Sequence, residues 1–371
     1  MPDAPVRHVL LAIDSLTGRG AEKVVVNLAE ALVNMGHKAS IVIFEDVVEF
    51  KLDPRVALYR LEPQLRGKWR FLSGLTDLEN RRRFKALLAK IEARDGRVDL
   101  ILSALPRIDR ILTGLRDPRI HHVIHNALSL QNGIRHAGWR KRFSRIRHLK
   151  RDYDRRQIIG VSAGVIEDLI EHCKVRPRAT CTLYNPFNFD EIRALAAQPA
   201  ELPATDYILH VGAFTLKQKR QDLLLEAFAQ ADLPCKLVLL GKGKDEAKIR
   251  ALIEQFGLQD KVILGGFLAN PYPVIRQARM LVLSSQYEGF GNVLVEALAL
   301  GVPTIATDCP SGPAEILSQS FPEGLVPSGD ASALAQRMRQ FHEAPPRVRA
   351  DAAERFSAPH ITREYLALIS S

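Results

Sequence analysis

The sequence predicts a parallel α/β protein built from two doubly wound domains. Three observations carry that reading. Short β-branched or Leu-rich runs recur along the chain, each is followed by a polar turn and then by a longer stretch of helical periodicity, and 371 residues are enough for two domains of about 100–200 residues. In the first half the strands are expected at residues 6–13, 39–44, 99–103, 121–124, 158–161 and 180–183. In the second half they are expected at 207–211, 236–240, 262–264, 280–284 and 303–306. Tyr184-Asn185-Pro186-Phe187-Asn188 and the loose, Pro-flanked stretch 196–205 separate the halves. This sets a first domain at 1–187 and a second at 188–349. Pro345-Pro346 ends a helix, and a closing helix at about 350–371 is free to pack back on the first domain. Ligands of doubly wound sheets lie beyond the carboxyl ends of the strands, so the two domains are expected to face one another across a cleft.

Composition narrows the class. Hydrophobic residues make up 46% and charged residues 25%, with 23 Gly and 21 Pro, which is globular and excludes collagen-like, mucin-like and disordered chains. No apolar run nears the roughly 20 residues of a membrane helix. The opening MPDAPVRHVLLAID holds an apolar run only at 9–13, short of the roughly 7–15 residues of a signal core. The expectation is an unexported protein without a membrane span. Cys173, Cys181, Cys235 and Cys309 show no CxxC spacing, which argues against zinc and against a disulfide framework and fits a reducing cytoplasm.

The unusual quantity is the net charge of +10. Residues 1–190 hold 34 Lys and Arg against 22 Asp and Glu, while residues 191–371 hold 18 against 20. The excess therefore belongs to the first domain, chiefly to Arg81-Arg82-Arg83-Phe84-Lys85 and to 135–156, where Trp139 and Phe143 interleave with cations. Such a surface suits an anionic partner, and the aromatics favour a membrane face. A basic nucleic-acid-binding protein is the alternative from another class, but no nucleic-acid partner is expected, because no RNP-like run, zinc finger or helix-turn-helix is evident.

Four segments carry candidate chemistry. Gly18 and Gly20 lie in a strand-to-helix turn, where backbone amides attract an anion. His121, His122 and His125 form HHVIHN at a strand end; their alternation does not assemble a three-His metal site, and His125 falls at the carboxyl edge. After the strand at 207–211 and Gly212, Lys217, Lys219 and Arg220 crowd the start of a helix, where the macrodipole disfavours cations unless an anion is bound. The fourth, SSQYEGFGNVLVEAL, combines a Gly-rich turn expected to expose the amides of Gly289, Phe290 and Gly291 with Glu288 and Glu296, whose carboxylates can each accept a pair of hydrogen bonds from vicinal hydroxyls. That is a way to hold a sugar.

EGFGNVLVE, with LVLSSQYEGF before it and EALALGVPTIATD after it, resembles the donor-site signature of the retaining glycosyltransferases of family 4, which have the GT-B fold. TGRGAEKVVVNLAEAL, ILHVGAFTLKQKRQDLLLEAF and LVLLGKGKDEAKIRALIEQFGLQDKVILGGF resemble further segments of that family, in its bacterial cell-surface polysaccharide and lipopolysaccharide branch. The resemblance implies that Gly18 and Gly20 approach the donor phosphates or sugar and that His125 lies by the transferring sugar. It implies that Lys219 pairs with the diphosphate, aided by Arg220, Gly212 and the amides of Phe290 and Gly291. Phe267 and Leu268 would contact the base, Glu296 the ribose diol and Glu288 the donor sugar, with Asn292 opening the following helix. One departure stands out: the family usually has Arg where this chain has Ala213, so that Arg220 or Lys217 is left to supply the charge.

The expectation is a hexosyltransferase that moves a sugar from a nucleoside-diphosphate sugar, UDP first and GDP second, to a lipid-linked or glycan acceptor with retention of configuration. No DxD-like pair sits at a strand end to hold Mg²⁺, so no metal or other cofactor is expected. The competing enzymatic reading is a GT-B sugar-nucleotide epimerase or hydrolase. Location is expected in the cytoplasm, peripherally on the inner face of the membrane through the basic first domain.

Overall fold

The computed structural model describes residues 5–17, 20–45, 47–61, 73–200 and 206–369. The chain divides into two compact units, one formed by Met1–Phe187 together with Ala358–Ser371, the other by Asn188–Ser357. Each is an α/β unit around an all-parallel sheet.

In the N-terminal unit the strands are β1 (His8–Ile13), β2 (Lys38–Ile43), β3 (Ala57–Arg60), β4 (Leu100–Ala104), β5 (Ile120–Ile124), β6 (Gln157–Gly160) and β7 (Ala179–Thr182), in the order β3-β2-β1-β4-β5-β6-β7. Strands β1, β4 and β5 are buried along their whole length, as continuous apolar runs covered on both faces should be. Leu10, Ala12 and Ile101 pack with Phe84, Leu88 and Ile91 from the helix Ser73–Asp95 in one core cluster. Phe84 is therefore a core residue, 1% exposed, and not one of the aromatics available to a membrane. Its neighbour Arg81 likewise turns inward, donating from Nε to the Ile111 carbonyl at 3.1 Å.

The C-terminal unit has β8 (Tyr207–Val211), β9 (Lys236–Leu240), β10 (Val262–Gly266), β11 (Met280–Leu283), β12 (Thr304–Asp308) and β13 (Leu325–Pro327), in the order β10-β9-β8-β11-β12-β13. All the strands expected from sequence are present, with ends shifted by a few residues. The sequence reading omitted β3 and β13, which are short edge strands, and β3 is only partly buried.

The closing segment splits between the units. Phe356 and Arg355 stay with the C-terminal unit, where the Arg355 guanidinium donates to the Ile316 carbonyl at 3.2 Å and to Gln319 at 2.7 Å. The helix Ala358–Ala367 packs on the helix Gly20–Asn34 of the N-terminal unit and buries Ile361, Thr362 and Tyr365. The Ala358 amide donates to the Phe187 carbonyl at 2.8 Å, so the two places where the chain passes between units are hydrogen-bonded neighbours.

Candidate functional site

Strand order in the C-terminal sheet reverses between β8 and β11, so the loops leaving their carboxyl ends diverge and open a crevice there. One loop leads from Gly212 to the helix Gln221–Ala231, the other from Ser284 to the helix Asn292–Ala299. They are fastened to each other: the Gln286 amide donates to the Gln218 carbonyl at 2.7 Å, and Ser284 Oγ donates to the Lys219 carbonyl at 2.8 Å. Across this seam Lys219 Nζ donates to Glu288 Oε1 at 2.6 Å, and Ser285 Oγ donates to the same oxygen at 2.5 Å. The Lys219 and Glu288 side chains are only 17% and 7% exposed. A charge so withdrawn from water needs a counter-charge, and each supplies the other's.

Around this pair the expected residues are placed as follows. Arg220, in a left-handed backbone conformation at φ 51°, is held by Asp222 at 3.0 Å and by Gln286 at 3.1 Å. Ala213 presents its carbonyl to Gln221 Nε2 at 2.9 Å, and Lys217 is exposed. Glu296 is buried early in its helix and accepts from the Tyr272 hydroxyl at 3.1 Å. Phe267 and Leu268 follow β10, where Phe267 is exposed and lies 4.6 Å from the Lys242 ammonium. The turn carrying Gly289, Phe290 and Gly291 is buried rather than exposed as expected, because Phe290 stacks edge-on against Phe356 at 5.4 Å and the next loop closes over it. That closure needs glycine: a Cβ on Gly312, at φ +91°, would stand 2.0 Å from the Phe290 carbonyl oxygen. Asn292 opens the helix and is half-buried. Gly212 donates its amide to the Leu240 carbonyl at 2.9 Å, with Gly241 so close that a Cβ there would lie 1.9 Å from the Gly212 oxygen.

In the N-terminal unit the strand order reverses between β1 and β4. A cavity of about 250 Å³ opens beside the β4 and β5 ends, lined among others by Glu22, Asp109, His125, Asn126 and Tyr153. His125 Nε2 is shielded from solvent and has no hydrogen-bond partner among the described residues. Gly20 opens the helix Gly20–Asn34 and is exposed; Gly18 lies outside the described residues. The three histidines do not converge. His122 is buried against Asp109 at 3.1 Å, and His121 faces the Arg119 carbonyl at 3.3 Å. Among the described residues no group of three or more His, Cys, Asp or Glu is arranged to hold a metal ion.

Sequence reasoning missed several polar residues here. Glu22 is 2% exposed and accepts from Ser15 Oγ at 3.1 Å and from the Thr17 amide and hydroxyl at 3.0 Å. A carboxylate in the first helical turn behind Ser and Thr was a readable signal for this. Asp109 is 1% exposed and receives Ser103 Oγ at 2.5 Å and the Tyr153 hydroxyl at 2.7 Å. The Tyr153 partner is 44 residues distant, and no local pattern announces it. Asp14, just beyond β1, is raised to about 6 by burial, with the Arg107 guanidinium opposing the shift. Burial lowers the His125 imidazole to about 4, so it is neutral at pH 7.

Residues 18–191 match the family described as Glycosyltransferase Family 4, and residues 193–357 match Glycosyl transferases group 1. Together the two models span 18–357, and the chain belongs to the glycosyltransferases. It is 32% identical over 186 residues to the N-acetylgalactosamine-N,N'-diacetylbacillosaminyl-diphospho-undecaprenol 4-alpha-N-acetylgalactosaminyltransferase of Campylobacter jejuni, covering 50% of each chain. It is 29% identical over 188 residues to the lipopolysaccharide 1,6-galactosyltransferase of Escherichia coli K12, covering 49% of this chain and 51% of that one. The chain thus spans about half the length of the curated relatives it matches. The crystal structure of Anabaena Alr3699/HepE in complex with UDP and glucose superposes with a TM-score of 0.72 at 19% identity, over 98% of this chain and 99% of that one, and shares its GT-B fold.

Removing one partner of the buried pair strands the other's charge. Glu288→Gln is expected to lower stability by about 3 kcal/mol, whereas Lys219→Met/Glu288→Gln recovers most of that loss; urea unfolding of the single and double variants measures it, and simply additive losses would show that the two are not coupled. For His125 the folded value lies below the ordinary 6.5, so the unfolded chain takes up the proton first as pH falls. Its contribution is complete above pH 6.5 and is lost as pH falls toward about 4. Asp14 acts oppositely, its contribution being complete below pH 3.8 and lost as pH rises through about 6. His125→Gln is therefore expected to lose less stability than wild type between pH 6.5 and 4. An imidazole NMR signal showing His125 protonated at pH 6 would contradict this.

Proposed function

We propose that this protein transfers a hexose from a nucleoside-diphosphate sugar, with UDP the favoured base carrier, to a lipid-linked or glycan acceptor, with retention of configuration and without a metal ion. The observation that carries the reading is the Lys219–Glu288 pair at the point where the C-terminal sheet reverses. The relatives from Campylobacter jejuni and Escherichia coli, named for transfer onto a diphospho-undecaprenol carrier and onto lipopolysaccharide, support the acceptor class. UDP in the Anabaena structure of the same fold is in keeping with the donor.

The chemistry follows from charge. When the bond between the sugar C1 and the diphosphate oxygen breaks, negative charge grows on the leaving group, and a cation fixed in advance lowers that barrier without having to reorganise. Lys219 is that cation, held in the loop by Glu288 until the donor arrives. On binding, the ammonium turns to the diphosphate, and Glu288, still receiving Ser285, is released toward the hydroxyls of the donor sugar. Glu296 takes the ribose diol, oriented by Tyr272. Phe267 and Leu268 offer the base an exposed apolar face. The acceptor oxygen bonds to C1 on the face the diphosphate leaves, and its proton passes to the departing phosphate oxygen. His125, neutral and with Nε2 unpartnered, provides a hydrogen-bonding group for a sugar hydroxyl without adding charge.

Contact with a membrane rests on the helix Trp139–Tyr153. Trp139 and Phe143 are 75% and 67% exposed and lie one turn apart on it. Arg140, Lys141, Arg142, Arg145 and Arg147 surround them and are all exposed, with no acidic residue between Trp139 and Arg151. Such a helix places rings at the acyl boundary and cations among anionic headgroups. Among the described residues no helix is long and apolar enough to cross a membrane.

Incubation with labelled UDP- and GDP-sugars, with and without a polyprenyl-diphosphate-linked glycan, tests the transferase reading. Acceptor-dependent release of nucleotide is expected, and Lys219→Ala should cut it by about 100-fold or more, in line with loss of one electrostatic stabiliser. Release indifferent to acceptor would instead identify a hydrolase. Flotation should recover the protein with phosphatidylglycerol vesicles more than with phosphatidylcholine vesicles, and Trp139→Ala/Phe143→Ala should reduce that recovery; equal recovery on both lipids would remove the membrane assignment.

A further inference from the structure

The N-terminal unit carries a second polar cavity, at the edge of the sheet opposite His125. Its volume is about 210 Å³, and it is lined by the residues that lead into β5, β6 and β7. Arg116, Arg155, Arg156 and Arg178 are among its lining residues. Among the described residues none of the four makes a side-chain hydrogen bond or an ion pair. Asp117 also lines the cavity, but Arg119 grips it with both ends of its guanidinium, at 3.0 and 2.7 Å. Other arginines of this unit do have a carboxylate partner, among them Arg107 with Glu45 and Arg151 with Asp152.

Two further observations separate this cluster from a solvated basic surface. Arg156 is half-buried, and its Nε is shut off from solvent without an acceptor, while burial, aided by the neighbouring Arg116 charge, lowers its pKa. Arg116 and Arg155 both sit in left-handed backbone conformations, at φ 52° and 60°, which cost a non-glycine residue about 1–2 kcal/mol each. The backbone there is fixed: the Arg155 amide donates to the Arg176 carbonyl and the Arg178 amide to the Arg156 carbonyl, each at 2.8 Å. Like charges are thus collected around a space of several water volumes, with Arg156 half-buried, Arg116, Arg155 and Arg178 exposed, and strain in the backbone of two of them, an arrangement that an anion would relieve.

We propose that this cavity is a binding site for a phosphate-type oxyanion, either a free phosphate or the phosphate of a lipid headgroup. Arginine suits it because a planar guanidinium meets a phosphate through two parallel N–H donors, and four of them can surround a tetrahedral dianion. The site shares no residue with Lys219 and its loops, so it stands apart from the transfer reaction proposed above.

Calorimetric titration of the full chain with sodium orthophosphate at constant ionic strength tests the proposal. Binding is expected in wild type and in Lys219→Gln, and at least about tenfold weaker in Arg156→Gln/Arg178→Gln. Removing two repelling charges should leave the thermal midpoint of that double variant unchanged or raised in the absence of phosphate, which separates lost binding from lost folding. Flotation with phosphatidylglycerol vesicles assigns the source. A recovery that falls in the double variant places the anion on a lipid, and an unchanged recovery with lost orthophosphate binding places it in solution. Equal orthophosphate affinity in wild type and double variant, or no binding heat in wild type together with unchanged vesicle recovery, overturns the site. Neither result bears on acceptor-dependent transfer, so the two proposals fail separately.

Discussion

A lysine and a glutamate largely withdrawn from water must be satisfied by each other whenever no ligand is present, and the C-terminal unit is organised around that requirement. Lys219 and Glu288 belong to loops that leave the sheet on either side of its strand reversal. Had the loops been free to separate, each charge would have found solvent. The Gln218 and Lys219 carbonyls, bonded by Gln286 and Ser284, keep them together, and glycines at 241 and 312 let the neighbouring loops close on them. Burial strengthens the pair, and in the reaction proposed above a diphosphate would replace Glu288 as the counter-charge of Lys219.

The N-terminal unit solves a similar problem with shared hydrogen bonds. Asp109 is buried beneath the His125 cavity and receives a serine, a histidine and a tyrosine from other elements. His122 of this group also lines the arginine cavity at the opposite edge, while Asp109 and Tyr153 line the cavity beside His125. Both openings of the unit therefore share one buried polar wall, whose members hold each other in place through the interior of the sheet.

Much of this was legible in the sequence because parallel strands are buried on both faces and read as unbroken apolar runs. HVLLAI, LILSA and YILHV announce themselves. The edge strands β3 and β13 do not, since only one neighbour pairs with each and ALYR and LVP carry no such run. At the candidate site, Glu288, Glu296 and Lys219 were legible as residue types in a setting that explains them, a Gly-rich turn and a cationic helix start. Their mutual distance was not, because the 2.6 Å contact joins residues 69 positions apart. The same limit hid Asp109 and Tyr153. The buried state of the turn at Phe290 was hidden for a different reason: its cover comes from Phe356, in a closing segment whose destination the sequence left open.

That destination has a consequence for how the protein is made. The helix Ala358–Ala367 completes the N-terminal unit, yet it follows the whole C-terminal unit, residues 188–357, in the chain. At a synthesis rate of about 5–20 residues per second, the helix Gly20–Asn34 waits on the order of fifteen to seventy seconds for the partner that covers it. During that interval the surface destined for Ile361 and Tyr365 stays open on the nascent chain. The first unit to emerge from the ribosome is consequently the last to be finished, and its final packing step is an intramolecular docking that begins only when translation of its neighbour is over.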